Sequence, residues 1–330
     1  MLVLLLPACV LLTKQDMEDW QAANLAGDSG DSGDADADAD TDTDADSDAD
    51  ADTDSDTDAD SDTDVPLEDY TVPTFNIRMI AISAGTFSMG SAGDPEGTYT
   101  DHDVTLTHDF WIGETEITEA QWEAWTAAED DSPSSDDAGD DYPVETVSWY
   151  DVAMYANALS DAEGLTPCYL ADGTEVAADY DGSPYAIYDC PGYRMPTEAE
   201  WEYAARGGED YDYAGSDTVG DVAWYSDNSL SQKHEVATLL PNGYGLYDMS
   251  GNEWEWTSDW SNYGGDGWPD YETGAAAQTD PTGEESGSYR VSRGGGWNTL
   301  AYGATVAYRN LYTPDYAYNN IGFRLSRSNP

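Results

Sequence analysis

Three stretches of the chain carry helix signals, each opening on a hydroxyl residue with an acid or amide three positions later. Thr118-Glu-Ala-Gln121 predicts a helix over residues 119–128, with Trp122 and Trp125 three apart on one face. Ser148-Trp-Tyr-Asp151 opens a segment running to about residue 160, and Pro196-Thr197-Glu-Ala-Glu200 opens a short helix through Arg206. In each, the hydroxyl can accept a backbone N–H of the first turn while the acid or amide reaches back to the cap. Between and after them lie short alternating runs, such as Val104-Thr-Leu-Thr-His-Asp-Phe-Trp111 and Tyr289-Arg-Val-Ser-Arg293, broken by Gly, Pro, Asn and Asp. These read as strands and long structured loops, with no βαβ rhythm. The pattern predicts an α+β domain with short antiparallel strands and few helices. Past the first dozen residues, no apolar run approaches the roughly 20 residues needed to span a bilayer.

The ends of the chain differ from this pattern. Met1-Leu-Val-Leu-Leu-Leu-Pro-Ala-Cys9 is an apolar run ending in a small residue and cysteine. It resembles a bacterial lipoprotein signal, in which Cys9 would carry lipid, although no base precedes it; a plain export signal and a cytosolic chain are the alternatives. Residues 28–64 alternate Asp with Ala, Ser, Thr or Gly and hold 18 Asp and no base. Such a run has nothing to bury and repels itself, so it reads as a disordered linker reaching on the order of 120 Å when extended. The organisation expected is therefore 1–27 signal, 28–64 linker and 65–330 domain, anchored in a bacterial envelope (outer membrane or periplasm).

The formal net charge is −59, and residues 65–330 alone carry 48 acids against nine bases. A chain this acidic is repelled by nucleic-acid backbones, which excludes that class of partner. Twelve Trp and 24 Tyr against four Phe favour a polar-lined interior, because indole and phenol groups want partners when covered. With Cys9 lipidated, Cys168 and Cys190 remain as one pair, to be read as a disulfide or as a catalytic dithiol.

Seven blocks then stand in a recognisable order. They are Gly85-Thr-Phe-Ser-Met-Gly90, Trp111-Ile-Gly-Glu-Thr-Glu-Ile-Thr118, Pro143-Val-Glu-Thr-Val-Ser-Trp149 and Tyr193-Arg-Met-Pro-Thr-Glu-Ala-Glu-Trp-Glu-Tyr-Ala-Ala-Arg206. Asn242-Gly-Tyr-Gly-Leu-Tyr-Asp-Met-Ser-Gly-Asn-Glu-Trp-Glu-Trp-Thr257, Arg293-Gly-Gly-Gly-Trp297 and Asn320-Ile-Gly-Phe-Arg324 follow. Together they resemble the sulfatase-modifying-factor family of formylglycine-generating enzymes, from about Met79 to Ser326. The resemblance implies a C-type-lectin-like α+β fold. It also implies a reaction, the oxidation of a sulfatase cysteine to formylglycine by copper held between two thiolates just after the Arg-Gly-Gly-Ser-aromatic block. Here Thr299 stands near the first thiolate position, a residue around Gly303 near the second, and Gly296 replaces the serine; no cysteine follows Cys190. Cu(I) requires soft sulfur ligands, so copper and the formylglycine reaction are not expected.

The same resemblance suggests iron enzymes of the wider family, but those bring their histidines from a helical domain that has no counterpart here. His102 and His108 would share a strand face yet lie roughly 20 Å apart, so hydrogen-bonding roles are expected for them and for His234. Glu253 and Glu255, alternating with Trp254 and Trp256, could form a glycosidase acid pair or be solvated loop acids. The resemblance instead implies structural Ca²⁺ held by the Asp248 and Glu255 side chains and the carbonyls of Gly251 and Glu253. A second site would use Asn228 and the carbonyl of Leu230. The Gly294-Gly-Gly run lacks the residues of a phosphate cradle and reads as tight packing beside Trp297. Arg194, Arg206, Arg293, Arg309 and Arg324 are expected to pair internally. Trp297, Thr299, Tyr302, Tyr308, Tyr312, Tyr316 and Tyr318 would line a groove suited to a peptide or glycan. The function expected is an exported binding module, the competing reading a metal-dependent oxidoreductase of the same family with altered chemistry.

Overall fold

The three expected helices begin where their caps place them. Gln121 Oε1 accepts the Thr118 N–H at 3.0 Å while Thr118 Oγ1 accepts the Gln121 N–H at 3.3 Å. Ser148 with Asp151, and Thr197 with Glu200, close complete reciprocal capping boxes. The last of these helices ends at Gly207, whose φ of 60° lets the chain leave in the left-handed region.

The computed structural model describes residues 67–90, 101–126, 132–135, 138–169, 186–262 and 276–329. Cys9, the signal-like segment and the Asp-rich run lie outside these residues. The first strands are β1 Tyr70–Val72, β2 Ile77–Ile82, β3 Gly85–Met89, β4 His102–Leu106, β5 Phe110–Gly113, β6 Tyr193–Arg194 and β7 Ala223–Trp224. They continue with β8 Ser250–Gly251, β9 Trp254–Ser261, β10 Gln278–Thr279, β11 Tyr289–Arg293, β12 Arg309–Tyr312, β13 Ile321–Gly322 and β14 Ser326–Ser328. The helices are α1 Glu119–Thr126, α2 Trp149–Ala162, α3 Ala186–Asp189, α4 Glu198–Arg206 and α5 Val219–Val222.

A five-stranded sheet runs β1-β2-β5-β14-β6, so the last strand inserts between two early ones and closes the domain. Further sheets run β10-β4-β3, β12-β11-β9-β13 and β7-β8. Most pairings are antiparallel as expected; the two-residue pairings β10 with β4, β13 with β9 and β7 with β8 are parallel. The single run expected over Val104 to Trp111 is two strands, because the Thr107 N–H and hydroxyl both donate to Asp280 and turn the chain.

The core falls into two clusters, one around Trp149, Tyr155, Trp256 and Phe323, the other around Phe110, Ile112, Trp201 and Val306. Its deepest indoles are satisfied: Trp149 Nε1 donates to the Thr257 carbonyl at 2.9 Å and Trp256 Nε1 to the Val147 carbonyl at 3.0 Å. Cys168 and Cys190 form a disulfide across a 22-residue separation. In the chain-entropy account, closing such a loop contributes about 3 kcal/mol.

All nine bases of the domain are engaged. Arg78, Arg194, Arg206, Lys233, Arg293, Arg309 and Arg324 make ion pairs. Arg290 lies between the Trp149 and Trp260 rings at 3.8 and 3.4 Å, and Arg327 stacks on Trp111 and Tyr193. The five arginines expected to pair internally do so.

Candidate functional site

The segment after β11 begins with glycines that only close backbone packing explains. Gly294 and Gly295 have φ of 90° and 80°, and a Cβ on Gly295 would lie 2.6 Å from the Gly303 carbonyl. The chain then folds into a tight turn in which Thr299 Oγ1 accepts the Gly296 N–H at 3.0 Å and the Thr299 N–H donates to the Gly296 carbonyl at 2.9 Å. A Cβ placed on Gly303 would collide with the Thr299 methyl. Thr299, near the first of the family's thiolate positions, and Gly303, close to the second, therefore face one another and present a methyl and a bare backbone. The donor set does not fit copper.

Around this turn the aromatic residues gather in two chains of ring contacts. Tyr302 meets Tyr308 at 5.5 Å, and Tyr308 meets Trp254 at 6.0 Å. Tyr312 stacks on Tyr316 at 4.2 Å, which meets Tyr318 at 5.8 Å. Trp297 Nε1 donates to the Asn319 carbonyl and pins the turn to the Tyr318 segment. Tyr302, Tyr318 and Leu300 are exposed, at 47, 57 and 55%. Ser229 Oγ donates to the Trp297 carbonyl, and the next residue in the chain, Leu230, is 83% exposed.

Asp248 and Glu255 occupy a different environment from the loop expected. Glu255 belongs to β9 and is fully buried; Arg324 Nε donates to its Oε2 and Nη2 to its Oε1, each at 2.7 Å, and Trp201 Nε1 donates to Oε2. Asp248, at φ 56°, accepts the Ala237 N–H at 2.7 Å. Glu116, which the sequence did not single out, accepts from the Asn252 amide and the Glu253 N–H. Three buried carboxylates thus lean on one arginine. Burial, then repulsion from Asp248 and Glu255, drives the Glu116 carboxyl well above its ordinary range. Burial likewise pushes Asp248 up to about 6. Glu253 and Glu255 are both buried and Glu255 is locked to Arg324, which does not suit a solvent-reaching acid pair or solvated loop acids. Asn228 uses its amide within its own turn, accepting from the Tyr225 N–H and donating to the Ala223 carbonyl; Leu230 has φ 58°. Among the described residues no three His, Cys, Asp or Glu side chains converge as a metal cage.

Two of the three histidines hold the hydrogen-bonding positions expected of them; His102 does not, its Nδ1 being buried without a partner among the described residues. His108 bridges Glu200 at 3.3 Å and Asp280 at 3.4 Å, and His234 lies on Trp224 at 3.7 Å with Nε2 against the Ser229 carbonyl. Burial alone would raise the Glu200 carboxyl, but the Arg194 guanidinium and His108 hold it down at about 2.

A cavity of about 550 Å3 opens beside α4 and the 278–285 segment. Its walls include Glu198, Glu202, Asp259, Trp260, Arg293 and Arg309. Glu198 is bound to Arg309, and Glu202 to Arg293 and Arg206.

Residues 62–329 match the sulfatase-modifying factor enzyme 1-like domain. The chain belongs to this family. Among its relatives is a protein named chaperone protein LppX from Paenibacillus barcinonensis, 31% identical, with 76% of this chain and 89% of the relative covered. The formylglycine-generating enzyme of Streptomyces coelicolor is 31% identical, with 75% and 88% covered. The solved structure of Treponema denticola variable protein 1 superimposes at a TM-score of 0.66 and 34% identity, covering 78% of this chain and 98% of that one. The sulfatase-modifying-factor fold is thus the frame on which the aromatic surface, the buried carboxylates and the cavity are arranged.

Proposed function

We propose that this family member is an exported, lipid-anchored envelope protein that binds an extended polypeptide on the surface formed by Trp297, Tyr302, Tyr308, Tyr312, Tyr316 and Tyr318, and does not generate formylglycine. The observation that carries this reading is that no cysteine follows Cys190, with Thr299 and Gly303 packed together in the segment where the family's thiolates are expected, while Tyr302 and Tyr318 stay exposed. Exposed Leu300, two residues from Tyr302, favours a polypeptide with apolar side chains over a glycan, whose hydroxyls that side chain would leave unpaired. The relative named a chaperone lends support to polypeptide binding.

Surface plasmon resonance against neutral, permanently unfolded peptides rich in aliphatic residues tests it. Saturable binding is expected, weakened at least about tenfold by Tyr302→Ser with Tyr318→Ser, since exposed aromatic anchors carry much of such an interface. Absence of peptide binding, or binding to glycans instead, would overturn the assignment.

A structural calcium ion belongs to the same proposal. When ionised, Glu116, Asp248 and Glu255 exceed Arg324 by two negative charges, which one divalent cation would balance in place of protons, and the turn with Asp248, Gly251 and Asn252 at positive φ can offer carbonyls. Asp248, the carbonyls of Gly251 and Glu253, and a remaining Glu255 lone pair would hold it. The proton linkage has a definite sign. Folding raises the Asp248 pKa from roughly 4 to about 6, so this group's contribution to stability is complete below pH 4 and lost as pH rises to 6. Calcium requires the ionised form and reverses that trend. Thermal melts of the full chain should show millimolar calcium raising Tm more at pH 7 than at pH 5. Asp248→Asn, which leaves the Asp-rich run intact, should abolish the difference. Equal calcium responses in parent and variant would rule the site out.

A further inference from the structure

The cavity beside α4 is independent of the aromatic surface, and its chemistry is one-sided. Glu198, Glu202, Asp259, Asp280, Glu284 and Glu285 line it against Arg293, Arg309 and the imidazole of His102; both arginines are committed, to Glu202 and Glu198, and the His102 Nδ1 is buried without a hydrogen-bond partner. Neither Glu284 nor Glu285, both exposed on the rim, has a base beside it, because every base of the domain is already engaged elsewhere.

Asp259 gives this cavity a focus. The residue is 3% exposed, and its Oδ2 accepts the Glu198 N–H at 2.7 Å and the Ser258 hydroxyl at 3.1 Å. Those two donors fix the carboxyl plane, one from the first turn of α4 and one from β9. Its other oxygen, Oδ1, has no hydrogen-bond donor among the described residues. Over it passes Gly283, at φ 76°, where a Cβ would lie 3.0 Å from Oδ1. A side chain there would close the approach that glycine leaves open. A carboxylate oxygen without a protein donor, in a cavity whose carboxylates outnumber its bases and whose two arginines are already paired, suits a cation arriving from solution.

We propose that this cavity binds a small organic cation of the alkylammonium class, one ammonium donating to Asp259 Oδ1 and the rest of the molecule directed toward Glu284 and Glu285. A volume of about 550 Å3 suits a small ligand. The binding is coupled to a proton. Burial, then the Glu198 carboxylate, holds the Asp259 carboxyl up at about 7, against which the Arg309 guanidinium and the donors from Glu198 and Ser258 work only in part. An ammonium arriving at Oδ1 displaces that proton to solvent, so affinity rises with pH through this range.

Isothermal titration of the full chain with 1,5-diaminopentane at physiological salt, with 1,5-pentanediol as neutral control, tests the proposal. A saturable one-to-one component is expected for the diamine and none for the diol. Asp259→Asn should weaken that component at least about tenfold, the size of one lost charged hydrogen bond. Diffuse attraction to the Asp-rich run is common to both proteins and cancels. Because Asp259 also caps α4, Glu284→Gln with Glu285→Gln supplies a second variant on the exposed rim, expected to weaken binding by about threefold without changing the melt. Affinity should rise between pH of about 6 and about 8 with net proton release. Superimposable titrations of parent and both variants, equal binding of the diol, or affinity that falls as pH rises would each overturn the proposal.

Discussion

Replacing Arg324 with Met should cost on the order of 3–5 kcal/mol, the loss expected when one partner of a buried ion pair is removed. Arg324 is fully buried, makes two 2.7 Å bonds to Glu255, and donates further to the carbonyls of Gly113 and Tyr247 at 3.0 and 2.9 Å. It joins β9, the end of β5 and the Tyr247 segment, none of which is local to the others in sequence. Its removal leaves Glu255 beside Glu116 and Asp248 without a counter-charge, and the three carboxylates can then survive burial only by taking up protons. The variant should therefore melt about 10 °C or more below the parent at neutral pH and recover part of the loss on mild acidification. Arg324→Lys keeps the charge but not the planar fork, so it should fall between the two. Arg324→Met with Glu255→Met should be less damaging than Arg324→Met alone, because the pair is removed together. A single variant that melts with the parent would show that this cluster does not hold the strands together.

Much of the fold was legible because its signals are short-range. A capping box spans four residues, and each of the three expected here is formed by the residues that announced it. The glycines after Arg293 were legible as packing positions for a related reason, since their lack of a side chain is itself the message. The break between β4 and β5 was not legible, because the group that turns the chain, Asp280, lies 173 residues from Thr107. The ion pair of Glu255 was missed in the same way: the sequence offers it as a calcium ligand, a catalytic acid or a solvated loop acid, and its partner Arg324 lies 69 residues later. Glu116 and Asp259 gave no local signal at all. Glu116 needs the Asn252 turn to acquire its surroundings, and Asp259 needs Glu198, Gly283 and Arg309 from three other segments. The pattern of apolar and polar residues specifies which side chains are covered, but the identity of a buried acid's partner is a property of the assembled domain.

The second large effect concerns chemistry. Copper-dependent oxidation of a cysteine needs two thiolates to hold the metal and bring the substrate sulfur to it. Thr299 offers a hydroxyl already tied to the Gly296 N–H, and Gly303 offers no side chain. Cys168 and Cys190 are joined to each other, next to α2 and β6. Thr299→Cys alone should not create a copper oxidase, since no other cysteine follows Cys190 to supply the second ligand. The decisive measurement is to incubate the full chain with copper, oxygen and a cysteine-containing sulfatase peptide, and to examine the peptide by mass spectrometry. Recovery of the peptide with its cysteine intact is expected, with the protein still able to bind aliphatic unfolded peptides; accumulation of the aldehyde product with turnover would contradict the reading of this sulfatase-modifying-factor domain as a binding module.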